Sequence, residues 1–370
     1  MFKCISKGLF SRDTIKPLEK IYNYENEKKR IINLIKFSKM FAVSGLRRVG
    51  KTTIVRSISS FIENYITLYI NMRGVKQGFE YDYFFESLKN EILKELRARR
   101  IYKPLEHLKN ITFIFASSDL KLRYELAILK ALEEITEMSR VILIVDDAHK
   151  LLKISRVLEF LIMLYDEMGS SLSTVLITPL TSIREGVNNK FSHYVKLLDD
   201  EIILKPWDNK TSERFLRSGF EECWATVNYE DIDAGVYFAR GIVGWLCWYG
   251  RLAVVRYIME KKVNPPMIIR KIVEETKTQI FDEIADFLRE RRNIDEYLKL
   301  IVKTAEEETM TVSDASKIIG KDPSTAFFYL SELVRNGIML KKNGYYTIAD
   351  PVVERVAIMP EFIREVKLRI

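Results

Sequence analysis

A chain of 370 residues exceeds what one compact core ordinarily holds, and at ~100–200 residues per domain it implies two or three domains. With 47% hydrophobic and 30% charged residues, 15 Gly and 9 Pro, it is neither disordered nor collagen-like. The net charge of +8 points to an anionic partner, and the excess is local: residues 1–60 hold fourteen Lys and Arg against four Asp and Glu.

The longest apolar runs, such as 141–145, are strand-sized and far below the ~18 residues of a membrane-crossing helix. No secretory pattern opens the chain, and no membrane partner is expected. Cys4, Cys223 and Cys247 are odd in number and widely scattered, with neither a pairing pattern nor metal-ligand spacing. A reducing, cytoplasmic compartment is the expectation.

Hydrophobic period predicts the elements in chain order. Short β-rich runs at 40–44, 66–70, 141–145, 174–177 and 202–204 alternate with amphipathic helical patterns such as 83–97 and 122–137. That rhythm predicts an α/β core over 1–205, a parallel sheet with helices on both faces. The run 111–115 is ambiguous, one reading being the arm of a hairpin insertion. After Lys205-Pro206-Trp207 the strands stop, and 211–298 reads as helices punctuated by Gly241, Gly244 and Pro265-Pro266. An all-α unit is expected over 206–290. From about residue 294 three helices lead to a β-pair closed by Asn343-Gly344, a strong hairpin signal. Pro323, followed by Ser324, opens the third helix and Gly337 ends it. Three helices and a hairpin predict a winged helix-turn-helix domain over 291–370.

Gly45-Leu46-Arg47-Arg48-Val49-Gly50-Lys51-Thr52 fits G-x-x-x-x-G-K-[ST] at every defined position. Gly45 and Gly50 permit dihedrals that turn successive N–H groups inward around phosphates, and the helix that follows adds its positive end. Lys51 is expected to reach the β and γ oxygens and the Thr52 hydroxyl to coordinate Mg2+. Thr53 adds a contact near the α-phosphate. The apolar strand Phe41-Ala42-Val43 runs directly into this loop, and Ile54, Val55, Ile58, Phe61 and Ile62 give the next segment a helical buried stripe. The alternative is a glycine turn beside solvated basic residues.

A phosphate cradle needs a carboxylate for the metal shell at the end of a neighbouring buried strand. The run 141–145 followed by Asp146-Asp147 supplies it. Asp146 is the metal-shell candidate, and Asp147 is expected to orient or deprotonate the attacking water. On its own the pair also reads as a buried strand capped by two solvated aspartates. Thr178, after the run 174–177, either senses the γ-phosphate through its hydroxyl or satisfies local backbone. Asn71, just past Tyr69-Ile70, is a candidate to hold the water-activating acid by a hydrogen bond. His149 is assigned no chemistry.

Together these residues resemble the archaeal ATPase family, a branch of the AAA+ (ASCE-type) and STAND-type P-loop NTPases, over nearly the whole chain. The matches run in order: the acidic Tyr24-Glu25-Asn26-Glu27, the G-x-R-R-x-G-K-[ST] loop with Arg47-Arg48, Asn71-Met72-Arg73, and the acidic box Asp146-Asp147-Ala148-His149. Further on come the lid motif Gly241-Ile242-Val243-Gly244-Trp245-Leu246 with Trp248-Tyr249-Gly250, and the wing exit Tyr346-Thr347-Ile348-Ala349-Asp350-Pro351. The resemblance implies ATP/ADP and Mg2+ as ligands. Its departures bear on activity. The usual Glu of the acidic box is Asp147, one methylene shorter, which retracts the base and slows hydrolysis. Thr178-Pro179-Leu180 replaces a flexible S-G-S, Val195-Lys196-Leu197 replaces an expected Gly-Arg so that no arginine finger is obvious, and the lid proline is Val243.

The expected function is a slow Mg-dependent ATPase acting as a nucleotide-controlled switch, its winged helix contacting DNA or a protein partner. The alternative is a non-catalytic nucleotide-binding regulator or DNA-binding module. Lys341 and Lys342 on the wing favour phosphate contact, and the presumed recognition helix exposes Ser324, Thr325, Phe328 and Ser331, with Lys321 at its start. Yet residues 286–370 carry fourteen basic and fourteen acidic groups, where a strong DNA module would be visibly basic. Without an evident trans-acting Arg, a monomer or small oligomer is expected.

Overall fold

A computed structural model describes residues 4, 7–11, 13, 15–17, 21–100, 118–186, 195–289 and 291–370. The ambiguous run at 111–115 lies outside the described residues. The chain divides into two compact units, one of Thr14–Gly45 with Lys51–Leu204, the other of Met1–Asp13, Leu46–Gly50 and Lys205–Ile370.

The first unit is α/β. In chain order it contains α1 (Glu25–Phe37), β1 (Met40–Ser44), α2 (Lys51–Phe61), β2 (Tyr65–Asn71), α3 (Glu80–Ala98), α4 (Ser118–Met138), β3 (Arg140–Asp146), α5 (Ser155–Met168), β4 (Leu172–Ile177), the short α6 (Ile183–Gly186) and β5 (Asp200–Ile203). The strands form one sheet in the order β2-β3-β4-β1-β5, every pair parallel. Strands β1 and β4 are buried at every residue, as inner strands of a parallel sheet covered on both faces are. Edge strand β2 alternates instead, burying Ile66, Leu68 and Ile70. Phe84, Phe85, Leu88 and Ile92 of α3, Ile128 and Leu132 of α4, and Phe160, Leu161 and Leu164 of α5 pack with the inner strand residues into one core. The register brings the strand ends level: Val43 pairs with Ile177, Ile177 with Asp146, and Asp146 with Asn71. The residues after those positions therefore gather along one edge, where open α/β sheets bind ligands.

The second unit is mostly helical. It contains α7 (Asn209–Glu222), α8 (Tyr229–Ala239), α9 (Val243–Glu260), α10 (Pro265–Leu288), α11 (Ile294–Glu307), α12 (Val312–Ile319), α13 (Pro323–Arg335), the antiparallel pair β6 (Met339–Lys342) and β7 (Tyr345–Ile348), α14 (Pro351–Ala357) and α15 (Phe362–Lys367). Local chemistry sets several boundaries. Asp208 caps α7 through Thr211 N–H at 2.6 Å, a Thr311–Asp314 capping box opens α12, and Asp322 caps α13 ahead of Pro323. Asn343 and Gly344 both take positive φ, 51° and 83°, the two-residue turn that matches strand twist. The three helices and hairpin thus stand in the expected order. Helices α14 and α15 beyond the hairpin are additional; Asp350 accepts from Val352 N–H at 2.8 Å to start α14, and Phe362 of α15 meets Phe281 of α10 at 6.1 Å.

The N-terminal segment belongs to this second unit. Phe10 is fully buried against Phe215 and Phe220, at 5.7 and 5.3 Å between ring centroids. The expectation of unpaired cysteines is corrected here: Cys4 and Cys223 form a disulfide with their Cα atoms 5.4 Å apart, and Cys247 is free. Docking of Phe10 brings Cys4 to the end of α7, and a pairing across 219 residues leaves no spacing signature in the sequence. Among the described residues no helix is long and apolar enough to cross a membrane.

Candidate nucleotide site

Strand β1 delivers the chain to the loop with its direction fixed. Gly45 takes φ +135°, and a Cβ there would lie 2.3 Å from the Leu204 carbonyl oxygen, so the position admits only glycine. Its N–H donates to the Leu180 carbonyl at 2.9 Å, so the segment after β4 supports the loop's first residue. Arg48 and Gly50 also have positive φ, 64° and 97°, which curls the intervening backbone, while Leu46 and Val49 are buried beneath it. Lys51 opens α2 only 7% exposed, its Nζ donating to the Gly45 carbonyl at 2.8 Å. Thr52 and Thr53 complete a first turn that contains no acidic residue of its own.

Asp146, the last residue of β3, is bonded on both oxygens. Oδ2 accepts from the Thr52 hydroxyl at 2.7 Å and from the Tyr69 hydroxyl at 2.9 Å, and Oδ1 accepts from Asp147 N–H at 3.0 Å. Burial pushes the Asp146 carboxyl above the usual carboxylate range, and the neighbouring Asp147 adds to this, against the lowering effect of Thr52 and Tyr69. Burial, with Asp146 next in weight, likewise raises Tyr69 well above an ordinary phenol, so its hydroxyl keeps its proton and serves as donor. The Arg56 guanidinium lies 4.2 Å from the Tyr69 ring centroid. Asp147 is 8% exposed and left-handed at φ 53°, a turn that ends the strand and starts the 3-10 segment Ala148–Lys153.

The donor set fits a magnesium-bound triphosphate. One hydroxyl and one carboxylate meet at bonding distance beside a buried ammonium, and magnesium on a nucleotide needs only one or two protein carboxylates with the substrate's phosphates. Thr178 is fully buried; its hydroxyl accepts from Leu180 N–H at 3.2 Å, the local-backbone reading of that residue. Asn71 is exposed at the end of β2, level with Asp146, and its side-chain oxygen accepts from Arg73 N–H at 2.9 Å. The structure thus brings Lys51, Thr52 and Asp146 together, and gives the polar groups of Thr178 and Asn71 local partners.

Sequence reasoning missed several groups. Glu201 of β5 accepts from Ser182 Oγ at 2.9 Å, from Ile183 N–H at 2.6 Å and from the Ser44 hydroxyl, fastening the strand end just before the loop. Tyr69 looked like an ordinary strand residue. The loop arginines have partners within the second unit, where residues 46–50 belong. Arg48 pairs bidentately with Glu283 of α10, at 2.7 and 3.1 Å, and reaches Asp350 at 3.4 Å. Its guanidinium lies 4.7 Å from the Trp245 ring centroid, and Arg47 stands 3.9 Å from Glu283. Burial alone would raise the Glu283 carboxyl, but Arg48 and then Arg47 overcome it and hold the group at about 2. Burial pushes Asp350 up, against the pull of Arg48. The paired arginines of the motif were the available signal; nothing in the pattern of α10 singled out Glu283.

Residues 37–185 match the family model of an AAA domain. No curated protein matches the chain. Among solved structures, the Walker-type ATPase of Pyrococcus abyssi is similar with a TM-score of 0.72 at 20% identity, covering 95% of this chain and all of that one. The ORC2 protein of Aeropyrum pernix, in complexes with ADPNP and ADP, gives 0.58 at 13% identity over 98% of each chain. The ORC1 protein of the same organism, in complex with DNA, gives 0.53 at 14% identity over 99% of this chain and 97% of that one.

Proposed function

We propose that this chain, whose residues 37–185 are an AAA+ P-loop NTPase domain, binds ATP with Mg2+ and hydrolyses it slowly, the nucleotide acting as a switch on the remainder of the protein. The observation that carries the reading is the Thr52–Asp146 bond at 2.7 Å beside Lys51. Backbone N–H groups of 45–53 and the opening of α2 bind the phosphates. Lys51 exchanges the Gly45 carbonyl for a phosphate oxygen, keeping its buried ammonium hydrogen-bonded throughout. Thr52 and Asp146 would hold Mg2+, and the chemistry such an ion would supply is neutralisation of phosphate charge. Asp147 orients the attacking water, and its short side chain limits the rate. The ADPNP and ADP complexes of the ORC2 protein support the choice of adenine nucleotide.

Phosphate release at saturating ATP tests the catalytic part. Asp147→Asn should lower it by roughly 100-fold or to background, the scale of a lost general base. Equal release by both proteins would favour a non-catalytic regulator.

In this reading residues 206–290 act as a lid and 291–370 as a winged-helix reader in a monomer or small oligomer. The net charge and the DNA-bound ORC1 similarity support DNA as the target. Other observations favour a protein. Phe327, Phe328 and Tyr345 are 47, 58 and 51% exposed on α13 and the hairpin, and several N-terminal cations are spent internally, Arg30 on Asp200 and Arg48 on Glu283. Titration with duplex DNA across salt concentrations separates the two: DNA contact requires affinity to fall steeply as salt rises, and absent or salt-insensitive binding leaves the protein partner.

A further inference from the structure

We propose that Glu283 and Asp350 are positioning residues of the phosphate loop: through the Arg48 guanidinium they hold the loop's left-handed turn, so nucleotide affinity depends on carboxylates 235 and 302 residues away in sequence. This rests on the nucleotide reading above and names what preorganises that site.

A non-glycine residue at φ 64° is strained relative to ordinary backbone and is stabilised where its surroundings fix it. Arg48 is over-determined from several sides. Its side chain is forked onto Glu283, reaches Asp350 and lies over Trp245. Its carbonyl accepts from Gly244 N–H at 2.9 Å. A Cβ on Gly244 would sit 2.8 Å from the Arg48 Cβ, which is why the motif at 241–246 has glycine at that position. The two acids are themselves held. Gln279 Nε2 donates to Glu283 at 2.7 Å, the Trp245 indole N–H donates to Asp350 at 2.9 Å, and Asp350 caps α14. Removing one member of this largely enclosed set leaves the others short of a partner.

The charges also assign the role. Arg47 and Arg48 face two carboxylates, so the guanidiniums are occupied within the protein, and attraction of phosphate falls to Lys51 and the backbone N–H groups. Two functions for Arg48 predict opposite signs. If it positions the loop, loss of the Glu283 charge weakens nucleotide binding. If it is a phosphate ligand held in reserve, the same change frees it and tightens binding.

The test is ADP affinity by titration calorimetry on the full chain, for wild type, Lys51→Ala, Glu283→Gln, Asp350→Asn, Arg48→Met and the Glu283→Gln/Arg48→Met double variant, each checked for cooperative unfolding. Positioning expects Glu283→Gln to weaken ADP binding by roughly tenfold, inside the ~5–150-fold span of coupled sites, with Asp350→Asn acting in the same direction. The double variant should bind no worse than Arg48→Met alone. Unchanged or tighter binding by folded Glu283→Gln, or additive losses in the double variant, would overturn the proposal. Should Glu283→Gln not fold, Arg48→Lys keeps the charge and loses the fork; weaker ADP binding is expected there, and wild-type affinity overturns the proposal. Loss of binding in Lys51→Ala with none in the Glu283 and Arg48 variants would defeat this inference and leave the nucleotide reading standing. A wild type that ignores ADP would defeat both.

Discussion

At the scale of single residues, the carboxylate of Asp146 is aimed by two hydroxyls from different elements, Thr52 of α2 and Tyr69 of β2. Only Thr52 belongs to the loop motif. Tyr69→Phe keeps the ring on which Arg56 rests and removes one hydrogen bond to a charged group, a change of roughly 1.5–3 kcal/mol. We expect ATP binding in this variant to require several-fold more Mg2+ than in wild type, with Mg-free ADP binding little altered. An identical magnesium requirement in the two proteins would show that Tyr69 does not orient Asp146. Loop residues were readable in the sequence because each performs a chemical task that few residue types can do, as Gly45 illustrates, where any Cβ would lie 2.3 Å from the Leu204 carbonyl oxygen. Tyr69 was not readable, because an aromatic residue on a half-buried strand needs no further reason to be there.

At the scale of elements, several strands extend past the apolar runs that revealed them. β5 begins at Asp200, β2 continues to Asn71, and β3 takes in Arg140 and Asp146. Parallel pairing satisfies backbone groups whatever the side chain, so polar strand ends are invisible to hydrophobic period. The acids that matter sit at such ends, or on a helix such as α10, whose exposed and buried faces do not single out the half-buried Glu283. Glu283 gives this helix a pH signature. Its carboxyl is held at about 2 in the fold against an ordinary value of 4.5, so its contribution to stability is complete above pH 4.5 and is lost as pH falls through about 2. That contribution is roughly 3 kcal/mol. Asp350, pushed up by burial, has the opposite slope, and because Glu283 helps to raise it, Glu283→Gln changes both groups, so the difference from wild type reports the coupled pair. Denaturant unfolding should show that difference at full size at pH 6 and shrinking steadily below pH 4.5. A difference that does not change with pH would contradict the Arg48–Glu283 pairing.

At the scale of the whole molecule, the positions of the strands along the chain, the helical unit and the terminal hairpin were legible because each repeats a local pattern along the chain. Three long-range features were not. Residues Leu46–Gly50 group with the helical unit although they lie in the middle of the α/β sequence, and Met1–Asp13 do the same from the chain's start. The Cys4–Cys223 disulfide follows from that N-terminal docking. Helices α14 and α15 pair with elements far upstream, so the residues after the hairpin read only as its exit. Docking of distant segments depends on shape, such as Phe10 lying against Gly219 and Gly250, and shape is not written in residue spacing.

The functional account depends on whether the main chain from Gly45 to Thr53 binds a nucleotide's phosphates. Calorimetric titration of ATP with Mg2+ into wild type and Lys51→Ala asks this directly. The account predicts one saturable site in wild type and a loss of at least roughly 100-fold in affinity in the variant, as removal of a buried charged phosphate partner should cause. Equal affinity in the two proteins, or no heat of binding in wild type, would contradict it.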